Sequence, residues 1–172
     1  PQESHRPSSA APAALTNLRK GATTLPNESP LCLGLEPSID ENCTHIILGS
    51  MPGVVSLREQ QYYAHPQNRF WRLMAHLLEG TPPPDEYAAR LSMLLRHRIA
   101  LWDSIDSCER EGSLDSAIRN VRANDFSDLL ERYPRLHTFC LNGGKSAAIF
   151  RRANRELIAR RDLTFHALPS TS

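Results

Sequence analysis

Residues 45–78 read HIILGSMPGVVSLREQQYYAHPQNRFWRLMAHLL, and this stretch decides the fold. Ile46, Ile47 and Leu48 form a short apolar run with β-branched residues, the pattern of a buried strand. The run breaks at Gly49-Ser50-Met51-Pro52-Gly53, where two glycines and a proline punctuate the chain. A polar loop bearing Tyr62 and Tyr63 follows. From Phe70 the spacing predicts a helix whose apolar face is Phe70, Trp71, Leu73, Met74, Leu77 and Leu78. A long loop at the carboxyl end of a buried strand is where open α/β sheets place their ligands. His65 and Asn68 in that loop are the first candidates for chemistry.

Downstream, strands and helices alternate. Gly80 and Pro82-Pro83-Pro84 end the first helix. A helix is expected over 85–96, then an apolar strand over 99–102. A polar loop is expected from Asp103 to Asn124, with Asn124 as N-cap of a helix through Leu129 and Leu130. A strand over 136–141, a helix from Lys145 to about Ala159 and a strand over 163–167 complete the series. Strands separated by helices predict a three-layer α/β/α sandwich around a mainly parallel four-stranded sheet. The loops after the four strands (GSMPG, WDS, NGG and LPSTS) are expected along one sheet edge, lining one cleft.

Upstream, residues 1–43 are rich in Pro, Ser, Ala and Thr and lack periodicity. They are expected to be a disordered tail, with order beginning near Leu31-Cys32-Leu33 and the domain near Thr44. The first residue is Pro, so the natural start is expected to lie upstream.

The 172 residues are 40% hydrophobic and 23% charged, ordinary for one globular domain with a core. A net charge of +1 permits nucleic-acid binding without announcing it. The late cluster Arg151, Arg152, Arg155, Arg160 and Arg161 reads first as a solvated helix face and second as a phosphate track. No apolar run approaches the ~20 residues of a membrane span, and no secretory signal is visible. Cys32, Cys43, Cys108 and Cys140 are widely spread without a C-x-x-C pair. They are expected to be reduced thiols of an intracellular protein, and no metal site is expected.

Several motifs fail on inspection. Asn142-Gly143-Gly144-Lys145-Ser146 resembles the tail of a phosphate-binding P-loop, but Phe139 stands where the leading glycine belongs. Ser50 is not at the centre of a G-x-S-x-G elbow. The remaining cleft residues each have a bland reading beside the functional one. Asn68 precedes a helix, and on spacing alone the N-cap role is favoured. Tyr62 and Tyr63 read as packed aromatics, His65 as a turn residue before Pro66, and Asp103 as a loop cap after Trp102.

The motifs in series alter that balance. G-S-[FM]-P-x-x-x-S-L at 49–57, Y-Y-A-H-P-x-N-x-F-W at 62–71 and L-W-D at 101–103 are followed by C-x-R-x-G-S-x-D-x-x-I at 108–118. F-x-N-G at 139–143 and L-P-S-T-S at 168–172 complete them. Together they resemble the uracil-DNA glycosylase superfamily, and within it the DNA-deoxyinosine (hypoxanthine-DNA) glycosylase family, over roughly Thr44 to Ser172. The resemblance implies a base-excision repair enzyme that flips a deaminated base out of DNA and hydrolyses its glycosidic bond. It implies no cofactor, and a monomer suits the task.

In the mismatch-specific members the Asn of G-x-N-P-G helps activate water. Met51 stands there, which excludes that mechanism. The resemblance transfers catalysis to Asn68 and base stacking to Tyr63. It assigns base binding to Gly49, Ser50, Met51, Pro52, Gly53 and Asn142, and DNA binding to His65, Pro169, Ser170, Thr171 and Ser172. Leu168 replaces the His that opens the last loop in the broader superfamily, and that loop is expected to continue past Ser172. A uracil- or mismatch-directed glycosylase and a non-catalytic binder of damaged nucleic acid are the alternatives.

Overall fold

The computed structural model describes residues 29–172. The expected tail up to residue 28 lies outside them. In chain order the strands are β1 (Leu31–Leu33), β2 (His45–Gly49), β3 (Ile99–Asp103), β4 (Ile105–Glu109), β5 (Arg119–Ala123), β6 (Thr138–Asn142) and β7 (Thr164–Leu168). The helices are α1 (Val54–Glu59), α2 (Phe70–Glu79), α3 (Tyr87–Arg96), α4 (Phe126–Arg132), α5 (Gly144–Ala153) and α6 (Arg155–Ile158).

Four strands form the expected parallel sheet in the order β3-β2-β6-β7. Parallel strands covered on both faces carry near-continuous apolar runs, and β2 shows why. Successive side chains of a strand point to opposite faces. Ile46 and Leu48 enter one layer with Phe126 and Leu129 of α4 and Phe150 of α5. Ile47 enters the other with Phe70, Trp71 and Ala75 of α2 and Met93 and Leu94 of α3. Each fully buried large side chain contributes ~1.5–3 kcal/mol of transfer free energy, so this double layer dominates the fold's stability.

The structure departs from the expected pattern in six places. The stretch from Asp103 to Asn124 is not a loop: β4 and β5 lie in it, and β1 pairs with β4 to make a second, antiparallel sheet in the order β1-β4-β5. Its outer strand RNVRA is almost wholly exposed, so ladder hydrogen bonds hold it and no apolar pattern marks it. β1, together with an isolated bridge between Ser38 and Leu101, ties residues before Thr44 to the domain. Helix α1, six residues long, is too short to show a period. The cap of α4 is Asp125, whose carboxylate accepts from the Ser127 and Asp128 N–H groups at 2.9 and 3.2 Å; the Asn124 side chain donates instead to the Asp103 carbonyl at 2.8 Å. The expected helix over 145–159 breaks at Asn154, and on α2 Leu73 and Leu77 face solvent.

Among the described residues no helix is long and apolar enough to cross a membrane. All four cysteines are free thiols.

Candidate active site

The carboxyl ends of the parallel strands open into one cleft of ≈ 460 Å³. Its floor is the turn after β2. Gly49 is required there: a Cβ would sit 2.4 Å from Asp103 Oδ1 and 3.3 Å from the Tyr63 hydroxyl. Met51 turns its side chain into a small apolar cluster with Ile105 and Cys108 of β4 and Ile118 just before β5. The turn is pinned from below by Arg110, a fully buried side chain that donates from Nη2 to the Pro52 carbonyl. Ser113 Oγ accepts from the Val54 N–H at 2.8 Å, and Ser50 Oγ donates to Asp115 Oδ1 at 2.7 Å. The excursion between β4 and β5 is therefore a wall of the cleft.

Asp103, at the end of β3, lines the cleft while only 4% exposed, and its Oδ2 has no hydrogen-bond partner. Burial, reinforced by the negative charge of Asp115 and opposed by the Arg110 guanidinium, pushes its carboxyl up to about 7.

The loop from α1 to α2 forms the opposite wall. Tyr63 adopts left-handed backbone (φ 54°), which a non-glycine residue enters at a cost of ~1–2 kcal/mol. Its ring stacks on Phe70 with centroids 3.8 Å apart, so one face is covered. Tyr62 is structural: its hydroxyl donates to the Leu35 and Glu36 carbonyls, and its own carbonyl accepts from the Trp71 indole N–H at 2.9 Å. Asn68 Oδ1 accepts from the Phe70 N–H at 2.9 Å, so Asn68 satisfies the first amide of α2 from just before its N-cap, Arg69, while also lining the cleft. His65 lines the cleft too. Its Nδ1 accepts from the Gln67 N–H at 3.2 Å, which places the neutral ring's proton on Nε2.

Asn142 ends β6 with its side chain engaged. Nδ2 donates to the Tyr63 hydroxyl at 3.0 Å and to Thr171 Oγ1 at 3.2 Å, and Oδ1 accepts from the Thr171 N–H at 3.3 Å. The Thr171 carbonyl accepts from the Arg69 N–H at 3.1 Å, so the last loop bridges β6 to the start of α2. Gly143 (φ 100°) is backed by Ser170, whose Cβ would lie 3.2 Å from an added Cβ.

Of the expected site residues, Gly49 through Gly53, Tyr63, His65, Asn68, Asn142, Ser170 and Ser172 line the cleft. Thr171 acts as a clamp behind it, and Pro169 is exposed and outside the lining. Sequence reasoning gave no role to Ser113, Asp115 or Arg110, although all three fall in the C-x-R-x-G-S-x-D-x-x-I motif. It also treated Asp103 as a loop cap, and only the tertiary burial of that carboxyl marks it out.

Comparison with known proteins gives the chain a family and a fold precedent. The model of the Uracil DNA glycosylase superfamily matches residues 36–172. Curated proteins named hypoxanthine DNA glycosylase, from Methanosarcina acetivorans and Methanosarcina barkeri, are each 43% identical over 113 residues, 66% of this chain and 72% of theirs. A Methanosarcina acetivorans protein solved by solution NMR as a candidate uracil DNA glycosylase superposes with a TM-score of 0.71 at 38% identity, over 83% of this chain and 86% of that one. The α/β/α fold, the cleft at the carboxyl edge of its sheet and these matches make the chain a member of the uracil DNA glycosylase superfamily.

Proposed function

We propose that this protein is a monofunctional DNA glycosylase that hydrolyses the N-glycosidic bond of deoxyinosine and releases hypoxanthine. One observation carries the reading: the Tyr63 ring and the Asn68 amide share a cleft in a chain 43% identical to two hypoxanthine DNA glycosylases.

A base inside a duplex must leave the stack before its glycosidic bond can be attacked, and a mispaired deaminated base leaves most cheaply. Phe70 covers one face of Tyr63, so the extruded base stacks on the other, a contact worth ~1–3 kcal/mol. Backbone groups of the turn Gly49–Gly53 face the base edge. His65, Ser170 and Ser172 at the rim meet the DNA strand.

Hydrolysis breaks the C1′–N9 bond, sends its electron pair to the base and passes through an oxocarbenium-like sugar. Asn68 is no strong base. Its Oδ1, held by the Phe70 N–H, keeps a second lone pair to orient the attacking water. Its dipole stabilises the developing positive charge. Met51, packed in apolar surroundings, takes no part in water activation.

The test is incubation with duplexes carrying a single deoxyinosine, uracil or xanthine, followed by alkali. Strand breaks at inosine, lost in Asn68→Ala, are expected. Breaks at uracil alone would move the enzyme to the uracil-directed class. Binding without breaks from well-folded protein would leave a non-catalytic binding module.

A further inference from the structure

We propose that Asp103 is the residue that distinguishes a deaminated base from its parent, by accepting a hydrogen bond from the ring N–H that deamination creates. The inference rests on the glycosylase reading above and names its base-reading group.

The chemistry of deamination supplies the motive. Adenine presents an unprotonated ring nitrogen, N1, beside its exocyclic amine. Hypoxanthine presents N1–H beside a carbonyl. Uracil differs from cytosine in the same way at N3. One acceptor placed against that ring position rewards hypoxanthine and uracil and meets a lone pair in adenine and cytosine, their parent bases.

The cleft offers such an acceptor. Asp103 is buried in the wall with Oδ2 sealed and unpartnered, while Oδ1, the oxygen over Gly49, receives no hydrogen bond among the described residues. An unpartnered buried acceptor costs free energy unless a ligand supplies the donor. Two neighbouring side-chain acceptors already hold a protein donor, Asn142 Oδ1 from Thr171 and Asp115 Oδ1 from Ser50, and the free lone pair of Asn68 Oδ1 is the one assigned above to water. Position agrees with role. Asp103 Oδ1 and the Tyr63 hydroxyl both lie over Gly49, which puts the carboxyl beside the ring on which the base stacks. β2 and β3 pair Gly49 with Asp103 directly, so the sheet fixes this placement. Guanine also carries N1–H, and its exclusion falls to its 2-amino group.

The experiment is a chemical double cycle under single-turnover conditions. Unaltered protein and Asp103→Asn each act on duplexes carrying deoxyinosine or N1-methyldeoxyinosine. One hydrogen bond to a charged acceptor corresponds to a loss of about 10- to 100-fold. We expect that loss for the methylated base with unaltered protein, the same loss for Asp103→Asn on inosine, and a ratio near one between the two bases in Asp103→Asn. Thermal melting confirms that the variant folds, and the methylated base probes the unaltered protein independently of it. A full inosine rate in Asp103→Asn, or an equal methyl penalty in both proteins, overturns the assignment while leaving the glycosylase intact. Absence of cleavage at inosine, uracil and xanthine by unaltered protein removes both readings.

Discussion

The Asn142 side-chain amide donates to the Tyr63 hydroxyl across 3.0 Å, joining the end of a central strand to the loop that precedes α2. Asn142 holds Thr171 with the same group, so one side chain fixes both the aromatic wall and the last loop. Tyr63→Phe keeps the ring and removes the hydroxyl. It is expected to lower the single-turnover rate by only a few-fold, whereas Tyr63→Ala loses the ~1–3 kcal/mol of base stacking. Parallel measurement of rate and of affinity for abasic-site DNA separates the two, because stacking is absent from the second.

Asn68 has two roles that substitution can part. Asn68→Ala is expected to abolish cleavage and also to cost ~1 kcal/mol of stability through loss of the hydrogen bond from the first amide of α2. Asn68→Asp retains an oxygen for the Phe70 N–H, so its melting temperature should match the parent while its rate differs. A variant that melts normally and cleaves at full rate with Ala at 68 would remove the residue from catalysis.

Gly49→Ala tests the close approach of β2 and β3. Its Cβ would meet Asp103 Oδ1 at 2.4 Å, so the carboxyl must move. Overpacking of this kind costs ~1–3 kcal/mol, and the displaced Asp103 should cut cleavage beyond what the lowered stability explains. Chemical denaturation beside single-turnover kinetics reads both effects.

Asp103 gives a pH signature. Its folded carboxyl sits up to about 7 against an ordinary value of 3.8, raised by burial and Asp115 and lowered by Arg110. A raised carboxyl favours the protonated folded state, so its contribution is full below pH ~4 and is lost as pH rises to about 7. Asp103→Asn should therefore be more stable than the parent at pH 8, by up to a few kcal/mol, with the gap closing in acid. Cleavage that needs the ionised carboxylate should rise with pH through the same range. The charges of Asp115 and Arg110 act on this carboxyl and, with its burial, set where the rise falls; the neighbouring Tyr62 and Tyr63 hydroxyls stay protonated throughout, their ionisation raised by burial.

The parallel sheet was legible because strands buried on both faces must be apolar throughout, and Ile46-Ile47-Leu48 and Ile99-Ala100-Leu101-Trp102 are. The second sheet was not. Arg119-Asn120-Val121-Arg122 is held by backbone pairing to β4, which leaves no side-chain signature. The bond between Asn68 and the first amide of α2 was readable from spacing, since it is local, although the N-cap itself is Arg69. The environment of Asp103 was not, because it depends on Tyr63, Arg110 and Asp115 arriving from other segments. The engagement of Asn142 by Thr171, 29 residues away, is invisible for the same reason.

The aromatic series behind Tyr63 gives the cleft an optical consequence. Tyr63 stacks on Phe70, and Phe70 meets the Trp71 ring edge-on at 5.0 Å. The chain's other tryptophan, Trp102, packs against Phe126 on the opposite layer. With Trp102→Phe, Trp71 becomes the lone indole, two rings behind the face a flipped base would occupy. Its emission would then report base entry in stopped flow, on native DNA without an attached dye.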